Sequence, residues 1–157
     1  MTAEARLAAK LDELGIELPP APAPKGVYKP LVVTGNLAYT AGHLPVQPDG
    51  ETIHGRVGDG LDVEDGYEAA LYAGLCILAT LRSELDSLDR VKRLVKVIGF
   101  VQCVPEFDQQ PAVINGCSDL FAEVFGPDEG VAARIAIGAA ALPANVPVEI
   151  EAIFEIH

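Results

Sequence analysis

The chain has 157 residues, half of them hydrophobic, with 11 Lys plus Arg against 23 Asp plus Glu, a formal charge of −12 and a pI near 4.5. That length suits one domain with its own core, and the composition excludes a disordered chain. So acidic a surface repels a phosphate backbone and argues against nucleic acid as a partner.

Leu7, Leu11 and Leu14 recur at helical spacing and predict a short N-terminal helix over residues 2–15. This segment mixes both charge signs and has no apolar signal core, and no uncharged run is long enough for a membrane span. A cytoplasmic protein without a membrane partner is therefore expected. Pro19-Pro20-Ala21-Pro22-Ala23-Pro24 ends the helix as an extended linker, so residues 1–24 read as an arm and 25–157 as a single domain.

Leu31–Thr34 and Leu37–Thr40 flank Gly35-Asn36, the signature of a tight hairpin. Residues 46–61 read as a long loop. His43 and His54 lie in or beside it and are expected to be solvated, with no partner at metal spacing. Asp62-Val63-Glu64-Asp65 opens a helix over roughly 62–85, whose apolar stripe runs through Tyr67, Leu71, Gly74, Leu78, Leu81 and Leu85. Val91–Cys103 is β-branched and apolar on both parities at its centre, as for an interior strand covered on both faces. A second long helix is predicted over about 111–125, with Val113, Cys117, Leu120, Phe121 and Val124 as its stripe. Asn115 sits about 160° from Cys117 around that helix, towards solvent. The three cysteines, Cys76, Cys103 and Cys117, fit no metal motif and read as buried free thiols.

From Val131 to Val148 the one charged side chain is Arg134, set among alanines and isoleucines where a lone guanidinium is costly to bury. Beyond Leu142-Pro143, residues Val148, Ile150, Ala152, Phe154 and Ile156 alternate with Glu149, Glu151 and Glu155 in the pattern of a half-buried strand. A turn near Ala144 would make a terminal hairpin, with Arg134 opposite about residue 154 and ~17 Å from Glu149. The face carrying Arg134, Ala136, Gly138 and Ala140 is small and flat and is the expected interface of a closed oligomer. Hairpin, helix, strand, helix, hairpin gives two long helices on one face of a five-stranded sheet.

Gly26-Val27-Tyr28, the hairpin running into Ala41-Gly42-His43-Leu44-Pro45, Asn115, and Ala133-Arg134 through Leu142-Pro143 to Val148-Glu149-Ile150-Glu151-Ala152 occur in the order found in one known family. Over residues 25–157 the chain resembles the RidA superfamily (YjgF/YER057c/UK114), as a divergent member. The resemblance implies a chorismate-mutase-like α/β (α+β) fold with a mixed β-sheet, and a homotrimer with ligand clefts between subunits. It implies hydrolytic deamination of small 2-imino or enamine acids to 2-keto acids and ammonia. The alternative it permits is non-catalytic binding of a small carboxylic acid, such as a 2-keto acid, in the same cleft. Arg134 stands where the family arginine takes the substrate carboxylate, Glu149 where a glutamate positions water, and Tyr28 and Asn115 where cleft residues lie. Gly42 and Ala136 fall at ligand-binding positions. An arginine offers a planar fork for a carboxylate, and a carboxylate can orient a water against a C=N carbon, so the residue types suit that chemistry. No metal or organic cofactor is signalled. The chain departs from active relatives in having Ile135 and Ala136 where Ser and Cys are frequent, and His43 where Gln is frequent. An endoribonuclease activity, attributed to some relatives, is disfavoured by the charge and by the lack of a basic, aromatic stripe.

Overall fold

Short polar side chains open the first two helices. Thr2 caps α1 (Ala3–Leu14) by accepting from the Ala5 N–H at 3.1 Å, and Gly15, at φ 68°, closes it. Asp62 and Asp65 exchange hydrogen bonds of 2.9 and 3.0 Å with each other's backbone N–H, a reciprocal cap for α2 (Val63–Leu85). The third helix, α3 (Gln110–Phe125), lies against α2, and Gly116 lets them approach: a Cβ there would strike the Tyr67 carbonyl. The computed structural model describes residues 1–157.

Five strands make one mixed sheet in the order β1 (Leu31–Thr34), β2 (Leu37–Thr40), β7 (Val148–Ile156), β5 (Val91–Gln102) and β6 (Ala133–Ala139). The pairs β1–β2, β2–β7 and β5–β7 are antiparallel, and β5–β6 is parallel, joined by α3 as a crossover. Two short parallel strands, β3 (Arg56–Val57) and β4 (Gly60–Leu61), lie inside the stretch expected to be wholly loop, and Val57 is fully buried. Phe121, Phe125 and Phe154 meet in pairs at centroid separations of 5.7–6.1 Å within the core between sheet and helices. Leu7 of the arm is fully buried in the same core, and Glu4 holds Arg82 at 2.6 Å and accepts from the Leu88 N–H. All three cysteines are buried and free, and no helix is long and apolar enough to cross a membrane.

Three expectations are corrected. The terminal hairpin does not form: β6 and β7 lie on opposite sides of β5, and residues 140–147 carry the chain across its end. Alternation specifies which face a residue takes but not which strand lies beside it, and both edges of β7 are taken by β5 and β2. Second, β5 is interior to the sheet but covered on one face only, leaving Ile98 and Phe100 on the other. Third, the small face of β6 is the less open of the two, with Arg134 and Ala136 half-buried and Gly138 exposed. Arg134, Ala136 and Gly138 pair with Val97, Gly99 and Val101 and so face α3, whereas Ile135 and Ile137 are 44% and 41% exposed.

Candidate functional site

The expected site residues fall into two groups, one on each face of the sheet. Tyr28, Gly42 and Glu149 share the open-face group. The chain leaves β2 still alongside β7: the His43 N–H donates to the Ile150 carbonyl at 2.8 Å, and Ile150 N–H returns a bond to His43 at 3.1 Å. This lays Gly42 over Glu149, where a Cβ would sit 2.9 Å from the Glu149 carboxyl carbon, so a larger residue would displace that carboxyl. Between them and Tyr28 lies a cavity of about 550 Å³ whose walls include Lys25, Phe100, Pro143, Ala144 and Glu151. Burial, and then the neighbouring Glu151 carboxylate, push the Glu149 carboxyl above its ordinary value. Tyr28 is 52% exposed, and its hydroxyl accepts from the Lys25 N–H at 3.4 Å.

The Pro143-Ala144 wall is unusual backbone. Ala144 and Asn145 both take left-handed φ values, 54° and 55°. Gln102, 1% exposed, braces this turn, donating from Nε2 to Asn145 Oδ1 and the Gly55 carbonyl and accepting from the Leu142 N–H. His54 Nδ1 lies 2.7 Å from the Ala144 carbonyl oxygen.

His43 is the clearest departure from the expected pattern. It is 4% exposed, with Nδ1 at 2.7 Å from the Ala41 carbonyl and Nε2 at 2.8 Å from Thr80 Oγ1. Burial holds its pKa below the usual histidine value. Its ring is held towards α2 by Thr80, and His43 is not among the walls of the main cavity.

Arg134 and Asn115 form the second group, under the sheet. Arg134 Nη1 donates to Asn115 Oδ1 at 2.7 Å and to Ser118 Oγ at 3.1 Å, while Nε and Nη2 make no hydrogen bond within the chain. These partners fix the guanidinium without neutralising it. The one carboxylate lining this second cavity, of about 240 Å³, is Asp119, which accepts from the Tyr67 hydroxyl at 2.8 Å. Burial and that bond push the Tyr67 hydroxyl up to about 12. Ala136 is next but one along β6 from Arg134, half-buried against the core.

The sheet separates the two groups within one chain. Arg134 pairs with Val97 and faces the helices; Glu149 pairs with Phe100, three residues further along β5 and so on the opposite face. The register expected from a hairpin is thus replaced by a separation by face. Ser118, Lys25 and Glu151 were not anticipated. Ser118 follows Asn115 by three residues, and Glu151 follows Glu149 by two, spacings that put each pair on one side of its element.

The family model described as "YjgF/chorismate mutase-like, putative endoribonuclease" matches residues 4–154. Protein TCP17 of Trypanosoma cruzi is 40% identical over 157 residues, covering all of this chain and 98% of its own. The crystal structure of Atu1372 from Agrobacterium tumefaciens superposes with a TM-score of 0.88 at 40% identity, over 98% of this chain and 94% of that one. The E. coli TdcF structure, which holds bound serine, superposes with a TM-score of 0.61 at 25% identity, over 90% and 98% of the two chains.

Proposed function

Because this chain belongs to the YjgF/RidA family, with its chorismate-mutase-like α+β fold, we propose that it hydrolyses small 2-imino or enamine acids to 2-keto acids and ammonia. The observation that carries this reading is the un-neutralised Arg134 guanidinium, held by two uncharged oxygens with Nε and Nη2 left for an anion. TdcF's bound serine is a carboxylate ligand in a relative and supports the same assignment.

In this reading the substrate carboxylate binds Arg134, with Asn115 and Ser118 as its supports and Ala136 beside it, while Tyr28, Gly42 and Glu149 come from a second protomer. The separation of the two groups by the sheet supports that arrangement, and the apolar open face around Ile135, Ile137, Ile98 and Phe100 supplies a surface for a second copy. A closed homotrimer is the proposed assembly, and the cytoplasm its proposed location. Water adds to the C=N carbon, and Glu149 takes its proton. The raised pKa of this carboxyl brings it closer to neutral pH, where an acid–base group works best. Protonation of nitrogen, with Tyr28 as donor or relay, releases ammonia and leaves the keto acid.

The test generates imines in situ with an amino-acid oxidase and follows ammonia and keto-acid release by wild type, Arg134→Ala and Glu149→Gln. Wild type is expected to accelerate release and both variants to lose it while remaining folded and assembled. Failure of folded wild type to accelerate any imine, with keto-acid binding retained, would replace catalysis by ligand capture.

A further inference from the structure

The main cavity continues behind Tyr28, Gly42 and Leu44 into an annex of about 120 Å³. Its walls come from three separated stretches: Pro22 and Ala23 of the proline linker, Pro30 and Leu44 beside the first hairpin, and Val46 and Thr52 from the long loop. These walls are mainly apolar, and the His43 ring behind them has both nitrogens engaged elsewhere. The linker is tethered upstream by buried Leu7 and the Glu4–Arg82 pair, and its prolines stiffen it, so this wall is a built surface. On the scale by which an apolar cavity of about 150 Å³ takes a benzene ring, 120 Å³ takes roughly four aliphatic carbons.

We infer that the annex receives the aliphatic side chain of the substrate and limits it to about four carbons, which makes the linker at Pro22-Ala23 and the loop at Val46 and Thr52 the specificity-determining elements. The inference rests on the deaminase reading for the direction in which a substrate lies, with its C=N carbon at Glu149 and its side chain towards Leu44. Both carboxylates of the main cavity, Glu149 and Glu151, lie outside the annex walls, and the one charged residue on those walls, Lys25, is exposed. An aliphatic chain turned into the annex therefore leaves water without uncovering a buried charge.

The experiment is a chain-length series: imines made from alanine, 2-aminobutyrate, norvaline, norleucine, 2-aminoheptanoate and phenylalanine, with the matching 2-keto acids titrated for equilibrium binding. Wild-type kcat/KM should rise about fourfold per methylene up to a four-carbon side chain and fall beyond it, with the phenylalanine imine poor. Thr52→Phe, which fills the annex, should cut the norleucine-to-alanine ratio at least tenfold. A flat wild-type series, a rise continuing past four carbons, or an equal loss across all substrates in Thr52→Phe would overturn the annex. Should wild type turn over no imine while keto-acid affinity shows the same length limit, the deaminase reading falls and the annex stands; absence of both turnover and binding removes both.

Discussion

On the helix side of the sheet, Val148, Ile150, Ala152, Phe154 and Ile156 are each at most 5% exposed, whereas Ile135 and Ile137 on the other side are above 40%. The covered face is finished within one chain, with cross-strand neighbours, three aromatic rings and two long helices. The open face is apolar towards β6 and acidic towards β7, where Glu149 and Glu151 flank the cavity. One chain therefore supplies a complete core and leaves an apolar face open, and the candidate site residues divide along the same line. Arg134 is supported from below the sheet and Glu149 from above it.

Ile137→Glu is expected to have the largest effect. It adds a charge to the open face without touching the core, so light scattering should show loss of assembly with unchanged circular dichroism, and imine hydrolysis should fall at least ~100-fold for want of completed sites. An assembled, active variant would sink the interface proposal. Arg134→Ala makes the opposite cut: a loss of about 10²- to 10³-fold in kcat/KM with assembly intact. If that variant dissociates instead, the guanidinium serves as an interface ion pair.

On the covered face, Phe154→Ala should cost about 3–5 kcal/mol in denaturant unfolding, because the cavity would open between Phe121 and Phe125. Gly42→Ala should leave the core alone yet displace the Glu149 carboxyl, lowering kcat by about tenfold. A wild-type rate would show that the close approach is dispensable. The smallest effect is expected from His43→Gln. Burial lowers the folded-state pKa of His43, so below an unfolded value of about 6.5 the unfolded chain binds a proton that the fold resists. Stability should fall as pH drops from 6.5 through the lowered folded value, and the variant should flatten that part of a Tm-against-pH curve. An unchanged slope would assign the acid sensitivity elsewhere.

Much of this was legible in the chain itself. The stripes through Leu71–Leu85 and Val113–Val124 specified α2 and α3, because a 3.6-residue period has one covered side, and the last strand's alternation specified its buried set. Strand order was not legible. The apolar run in β5 is compatible with either two covered faces or one covered and one awaiting another chain, and the period of Val148–Ile156 says nothing of its neighbours. At the site, residue types suggested Arg134 and Glu149, but their opposite faces follow from the parallel β5–β6 register. His43 reads as a loop residue in the sequence because its ring's partner, Thr80, lies 37 residues away. The same distance problem hid the linker: Pro22 and Val46 become neighbours around one annex only after the chain has folded.

The order β1-β2-β7-β5-β6 also bears on the life of the nascent chain. The strand in the middle is the last of the five to be synthesised, so until residues 148–156 leave the ribosome the β1–β2 hairpin and the β5–α3–β6 unit have no shared sheet. Each carries a bare edge and uncovered apolar surface during that interval, and β7 closes both at once. Late mutations in β7 should therefore act on yield in the cell more strongly than their effect on the finished fold predicts, through capture and aggregation of the two waiting halves.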